Sequence, residues 1–153
     1  PMDAEGNPNS GSALVTNLSD TAGDSTGASQ CIEGVFGETF YLFAAEILLP
    51  SGQSENGYAE LYVQWNEEPG CSGYLGSAFS PQVSVATPDV WYRIFDMAQA
   101  PAGTESARVR LSVRKWEDYG TLVAHFDMVE FEAMVFVDGF ESGDLTAWSS
   151  VGP

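Results

Sequence analysis

Runs in which apolar and polar residues alternate place the strongest constraint on how this chain can fold. In residues 107–114, Ala-Arg-Val-Arg-Leu-Ser-Val-Arg, the apolar side chains fall on one face of an extended strand and the arginines fall on the other. Residues 58–65 alternate in the same way and end in Trp65. Such alternation is typical of antiparallel strands that cover a core with one face and meet solvent with the other.

Similar runs continue along the chain and are separated by turns that contain proline or glycine, as in a sandwich or barrel. Residues 39–49 contain alanine, glutamate and leucine, as helices do, but their opening Thr-Phe-Tyr-Leu-Phe favours a strand. We expect one β domain in residues 13–137, after a polar extension (1–12) and before a C-terminal segment (138–153). The predicted strands are residues 13–15, 29–36, 39–49, 58–65, 91–98, 107–115, 121–132 and 134–137. The aromatic residues expected in the core are Trp65, Trp91, Phe95 and Phe126.

The chain is strongly acidic. Its 153 residues include 22 Asp and Glu against 5 Lys and Arg, a formal net charge of −17, and the first cation is Arg93. Such a surface repels nucleic-acid phosphates, so we expect no nucleic-acid partner. Two interpretations of the carboxylates stay open, a solubilising surface or ligands for divalent cations such as calcium. No apolar run approaches the roughly 20 residues of a membrane helix, so no membrane span is expected.

Cys31 and Cys71 are the only cysteines, and they are 40 positions apart. An even count in an acidic, lysine-poor chain favours one disulfide in an oxidising compartment over two free buried thiols. The chain begins at Pro1 without an apolar signal segment, as expected of a mature secreted form. We therefore expect a secreted protein that is extracellular or located at the cell surface.

Five segments follow one another in an order typical of one group of folds. They are Gly-Glu-Thr-Phe-Tyr-Leu-Phe-Ala at 37–44, Gly-Tyr-Ala-Glu-Leu-Tyr-Val-Gln-Trp at 57–65, Val-Trp-Tyr-Arg at 90–93, Ala-Pro-Ala-Gly at 100–103 and Ala-His-Phe-Asp-Met-Val-Glu-Phe at 124–131. Together they resemble the galactose-binding-like jelly rolls found as carbohydrate-binding modules in secreted bacterial proteins. The resemblance spans residues 10–132 and implies an all-β, antiparallel, jelly-roll-like β-sandwich in a single domain.

The C-terminus carries a motif that such modules usually place in their first strand. Residues 139–148, Gly-Phe-Glu-Ser-Gly-Asp-Leu-Thr-Ala-Trp, resemble that opening strand, whereas residues 1–8 do not. In the resembling modules, the glutamate of this strand and an aspartate of the closing strand help to hold a structural calcium. The resemblance thus implies Glu141 and Asp127 as calcium ligands, with further oxygens from residues 10–24 because calcium takes six to eight. The alternative is that both are ordinary exposed acids.

The displaced motif can complete a sheet in two ways. It folds back onto its own sandwich, or it inserts at the open edge of another copy, as donated strands do. The second contact is head to tail, which produces filaments unless the rotation between copies closes a ring. The residues expected to fill apolar positions in such an assembly are Phe140, Leu145 and Trp148.

One candidate for saccharide binding combines aromatic and hydrogen-bonding side chains. Tyr58 and Tyr62 share the polar face of one strand with Glu60 and Gln64, and Arg108, Arg110 and Arg114 share a face of another strand. Such a patch can stack a sugar ring, or it can form cross-strand Tyr–Arg and Glu–Arg pairs on a solvated sheet. Both interpretations stay open at the level of the sequence.

No catalytic constellation is evident in the sequence. His125 is the only histidine and has no nucleophile motif beside it, and the adjacent Glu67 and Glu68 cannot face each other across a substrate as a glycosidase pair does. The sequence therefore predicts a non-catalytic extracellular structural protein that self-assembles through its C-terminal segment into a surface or matrix filament. The alternative is a monomeric, calcium-stabilised carbohydrate-binding module.

Overall fold

The computed structural model describes residues 3–7, 11–53, 56–84, 86 and 88–134, and nine strands lie within these residues. They are β1 Ala13–Asn17, β2 Ser25–Glu33, β3 Phe40–Leu48, β4 Gly57–Glu68, β5 Ser72–Phe79, β6 Val83–Ser84, β7 Tyr92–Gln99, β8 Ser106–Lys115 and β9 Leu122–Ala133. In this part of the chain, no helix has the length and apolarity needed to cross a membrane.

The strands form two antiparallel sheets that pack face to face. One sheet has four strands in the order β1-β9-β3-β7. The other has five strands, in the order β2-β8-β4-β5 with the short β6 pairing with β4. Strands that are far apart in the chain, such as β2 and β8, are neighbours in a sheet, as in a jelly roll. The predicted all-β sandwich is confirmed.

The core lies between the sheets and is built from the inward faces of the alternating strands. An aromatic cluster joins the two sheets, because Tyr41 of β3 stacks on Phe131 of β9 at 5.0 Å between ring centroids and lies 5.7 Å from Trp65 of β4. Burial of one large apolar side chain stabilises a fold by about 1.5–3 kcal/mol. The cluster therefore contributes substantially to holding the sheets together.

Of the four aromatic residues that the sequence assigned to the core, two are buried in the structure. Trp65 and Phe126 are buried, as predicted. The prediction for Phe95 is wrong: its side chain is 62% exposed, because the alternation along β7 turns the neighbouring Ile94 inward. Trp91 precedes β7 and is only partly buried.

Most predicted strands are present with bounds shifted by a few residues. β2 spans Ser25–Glu33 instead of residues 29–36, because Gly34 has a φ of 72° and ends the extended backbone. β5 was not predicted, since two glycines and two serines among its eight residues weaken the alternation. Of the predicted strand at 134–137, Met134 is not in a strand and the other residues lie outside the described part of the chain.

Cys31 and Cys71 form the predicted disulfide, with their Cα atoms 5.9 Å apart. Cys31 lies in β2, and Cys71 lies in the turn between β4 and β5. Within the described residues, β2 pairs only with β8, so it is an edge strand. The disulfide therefore ties this edge to the turn at the end of β4.

Candidate functional site

The outer face of the five-stranded sheet brings tyrosines of β4 beside arginines of β8. In the antiparallel register of these strands, Tyr58 lies opposite Arg114, and Tyr62 lies opposite Arg110. Directly opposite residues share one face of a sheet, and Leu61 between the tyrosines points into the core. We call this surface the tyrosine–arginine face; its members are Tyr58, Glu60, Tyr62, Gln64, Arg108, Arg110 and Arg114.

The arginines of this face reach across the neighbouring strand β2 or towards the disulfide. Arg110 donates from Nη2 to the carbonyl of Ser25 at 2.8 Å, and Arg114 donates from Nε to the carbonyl of Gly23 at 2.7 Å. At the other end of the face, Arg108 donates to the carbonyl of Cys71 at 3.1 Å. These bonds hold the guanidinium groups along the sheet surface.

Gly27 of β2 makes room for one of these arginines. A Cβ atom at this position would lie 2.8 Å from Nε and 3.1 Å from Cγ of Arg110, and it would also collide with the backbone carbonyl of Leu111. A side chain at position 27 would therefore displace Arg110 or the strand. The glycine is required here by close approach of neighbouring groups.

Aromatic rings border the face in two places. Trp116, which directly follows β8, lies 5.2 Å from the ring of Tyr58, and the Arg114 guanidinium lies 5.7 Å from the Trp116 ring. Phe79 of β5 lies 5.0 Å from the ring of Tyr62. Trp116 and Phe79 are 53% and 52% exposed, so both present aromatic surface to solvent.

Glu60 sits between the two tyrosines on β4 and is buried, with 5% of its surface exposed. Its Oε2 accepts a hydrogen bond from Nε2 of Gln82 at 3.0 Å. Burial raises the pKa of Glu60, and the Gln82 hydrogen bond and the charge of Arg114 oppose this rise. The face thus contains a buried hydrogen-bonding carboxyl group with aromatic rings on either side.

The sequence correctly placed the tyrosines and arginines on polar faces, but it did not identify every residue that shapes the surface. Tyr58 and Glu60 were expected on an exposed face and are in fact buried. Trp116 and Arg114 both contact Tyr58. Neither Trp116 nor Phe79 was predicted as part of the site. For Trp116, its position directly after the arginine-bearing strand was the available signal.

The predicted calcium ligand Asp127 is held by the backbone. Its Oδ2 accepts a hydrogen bond from the amide of Ala4 at 2.9 Å, and its Oδ1 accepts one from the amide of Met128 at 2.8 Å. Among the residues that the structure describes, no group of three or more His, Cys, Asp or Glu side chains could hold a metal ion. Glu141 lies outside the described residues, and calcium binding stays a prediction.

Among the described strands, only part of one edge of the four-stranded sheet is paired. β1 pairs with β9 from Leu122 to Phe126, whereas β9 continues to Ala133. No other described strand pairs with this edge beyond Phe126. Next to it, a cavity of about 440 Å³ opens between β9 and β2. The lining residues are Ala28, Ser29, Gln30, Ile32, Val109, Leu111, Val129, Glu130 and Phe131.

The predicted assembly residues Phe140, Leu145 and Trp148 lie outside the described residues. The open β9 edge and the cavity are therefore the described features that bear on assembly.

No known protein family matches the sequence, and no curated protein matches it. Solved structures do match in fold. The EclA C-terminal domain, described as a sugar-binding protein, matches with a TM-score of 0.52 and 10% identity over 81% of this chain and 80% of that chain. The CBM22-1 and GH10 modules of the Clostridium thermocellum xylanase 10B match with a TM-score of 0.54 and 16% identity, over 87% of this chain and 23% of that chain.

The enzymatically active domain of tailspike protein 4 from bacteriophage CBA120 also matches, with a TM-score of 0.54 and 9% identity, over 82% of this chain and 18% of that chain. The fold is a carbohydrate-binding-module-like β-sandwich. This confirms the fold that the sequence segments implied. At these identities the similarity concerns the fold alone.

Proposed function

We propose that this domain binds saccharides, without catalysing a reaction, through its tyrosine–arginine face. The observation that carries the proposal is the register of β4 and β8, which sets Tyr58 and Tyr62 directly beside Arg114 and Arg110. The sandwich shared with sugar-binding structures is consistent with this function.

The chemistry of the face suits a sugar ring. The C–H faces of a pyranose pack on aromatic rings, and the exposed Phe79 beside Tyr62 offers such a surface. Sugar hydroxyl groups need donors and acceptors in fixed positions around the ring. Arg110 is held by the Ser25 carbonyl, so a hydrogen-bond donor is positioned before the ligand arrives.

The test is a glycan array followed by titration calorimetry with Tyr62→Ala. We expect this variant to bind its best glycan about 30-fold more weakly than the unmodified protein, which corresponds to about 2 kcal/mol for an aromatic anchor. The matched control is Phe95→Ala, which removes an exposed aromatic side chain from the outer face of the other sheet. An equal loss of affinity in both variants would place the binding surface elsewhere.

The disulfide bears on where this binding takes place. Cys31 and Cys71 are joined, and disulfides persist in oxidising compartments. The disulfide supports our proposal that the domain works outside the cell or at its surface, where extracellular glycans are available.

A second candidate function is self-assembly, and the open edge of β9 favours it. The unpaired backbone groups of an edge strand are a template for another strand. The cavity beside this edge has apolar walls that include Ile32, Leu111 and Val129. In this proposal the occupant is residues 140–148 of a second copy, with Phe140, Leu145 and Trp148 as the apolar side chains that enter the receiving copy.

Negative-stain microscopy and sizing chromatography of the full chain test this second candidate. We expect oligomers that disappear when residues 139–153 are deleted and also when Val129→Asp places a charge in the cavity wall. Val90→Asp is the control, because Val90 is similarly exposed and does not line the cavity. A monomer at high concentration for the unmodified chain would exclude assembly in trans and favour a segment that folds back on its own sandwich.

A further inference from the structure

The positive charge of this protein is concentrated on one face. Of its 5 Lys and Arg residues, Arg108, Arg110 and Arg114 belong to the tyrosine–arginine face. Lys115 points away from that face and is fully buried. Arg93 lies on β7 in the other sheet. Although the chain has a net charge of −17, an anionic ligand that binds at this face contacts three positively charged side chains.

None of the three arginines of the face forms an ion pair with another described residue. Arg93 and Glu130 form an ion pair at 2.7 Å, and it is the only ion pair within the described parts of the chain. Arg108, Arg110 and Arg114 instead donate to backbone carbonyls, which carry no formal charge. Two carboxyl groups lie near these arginines. Burial of Glu60 raises its pKa and favours its neutral form. The pKa of Asp24 is lowered by hydrogen bonds from Ser19 and Ser25 and, to a smaller extent, by the charges of Arg110 and Arg114.

We propose that the saccharide bound by this face is acidic and carries carboxylate groups on its sugar rings, as uronic acid polymers do. This inference rests on the proposed saccharide-binding function. A guanidinium group is a planar fork of N–H donors that matches a carboxylate in bidentate geometry. Because the backbone carbonyls fix the guanidinium groups, little side-chain entropy is lost when a carboxylate binds. The aromatic pair of Tyr62 and Phe79 receives the ring that carries the acid.

The experiment compares two polymers that differ only in whether C6 of each sugar ring carries a carboxylate or an alcohol. The full chain is titrated with polygalacturonate and with the same polymer after chemical reduction of its carboxyl groups to alcohols. We expect the reduced polymer to bind about 10- to 100-fold more weakly, since each hydrogen bond to a charged group is worth about one to two powers of ten in affinity. Affinity for polygalacturonate should also fall as salt is added.

Two variants test the residues. Arg110→Gln should weaken binding of polygalacturonate about 10- to 100-fold and weaken binding of the reduced polymer much less, because a hydrogen bond from a guanidinium group to a neutral hydroxyl group is worth less than one to a carboxylate. Arg93→Gln removes the same charge from the other sheet and should bind polygalacturonate like the unmodified chain. Arg110→Lys keeps the positive charge but loses the planar pair of N–H donors, so we expect an affinity between those of the unmodified chain and Arg110→Gln. Circular dichroism tests whether each variant is folded. If Arg110→Gln is unfolded, Arg108→Gln replaces it as the test of the face.

The possible outcomes separate this inference from the proposed function. Equal or tighter binding of the reduced polymer would overturn the acidic specificity and leave saccharide binding in place. A third outcome is that dextran sulfate binds as tightly as polygalacturonate, with Arg110→Gln and Arg93→Gln weakening its binding equally. This result would show attraction by charge alone and would also overturn the acidic specificity. Failure to bind either polymer or any glycan on the array would overturn both the inference and the proposed function.

Discussion

Removal of the disulfide is expected to cost this domain a large share of its stability. Replacing Cys31 and Cys71 by serine opens a loop that spans a sequence separation of 40. The chain-entropy relation gives about 4 kcal/mol for a loop of this size at 25 °C. Single domains are stable by about 5–15 kcal/mol in total, so the double variant should be folded but marginal.

The position of the disulfide predicts which strand loses stability first when it is removed. Because β2 pairs only with β8 among the described strands, the disulfide adds a covalent attachment to this edge strand. Arg110 lies across β2 and donates to Ser25, so loosening of this edge also disturbs the tyrosine–arginine face. Hydrogen exchange in the double variant should therefore speed up most in β2, and glycan affinity should fall with it.

Urea unfolding measures the effect. With a slope of about 2 kcal/mol per molar urea, a loss of about 4 kcal/mol lowers the midpoint by about 2 M. The unmodified protein treated with a reductant is the control and should unfold at the same midpoint as the double variant. A midpoint shift below about 0.5 M, equivalent to about 1 kcal/mol, would refute the reasoning, because it would mean that the 40-residue loop is already restricted in the unfolded chain.

Three further substitutions test the structure. Glu60→Gln should stabilise the protein at neutral pH, because burial raises the pKa of Glu60 in the folded state. The unmodified protein therefore gains stability as pH falls through this pKa towards the pKa of the unfolded state. A difference in stability between the two proteins that does not change with pH in thermal melts would contradict this. Gly27→Ala should destabilise by about 1–3 kcal/mol and weaken glycan binding by displacing Arg110, whereas Gly76→Ala, with its nearest contact at 3.6 Å, should change neither property. Lys115→Ala should destabilise the protein by about 1–3 kcal/mol, because the buried Lys115 side chain donates hydrogen bonds to the carbonyls of Tyr119 and Gly120. An unchanged melting temperature would show that these hydrogen bonds do not stabilise the fold.

Local sequence patterns predicted the fold class because alternation is a property of each strand alone. The strands that alternate most regularly, β4 and β8, were predicted within a few residues of their bounds. β5 was not predicted, because its glycines and serines carry little pattern and its strand character comes from pairing with β4. Phe95 was misassigned because hydrophobicity alone does not show which face of an edge strand is covered.

The candidate site was predictable in its parts and not in its arrangement. Tyr62 and Arg110 could each be assigned to a polar strand face from the sequence. The burial of Glu60 and the packing of Trp116 on Tyr58 could not, because they depend on side chains that follow or face β4 only after folding. For the same reason the sequence left two interpretations of the tyrosines and arginines open.

By itself, the sequence determined that the tyrosines of β4 and the arginines of β8 point away from the core, since side chains alternate with a period of two residues in any strand. Only the tertiary structure decided that β8 lies between β2 and β4 in the register that sets Tyr62 opposite Arg110. That register joins segments far apart in the chain. It is fixed by the fit of both sheets around the shared core and is not encoded in either strand alone.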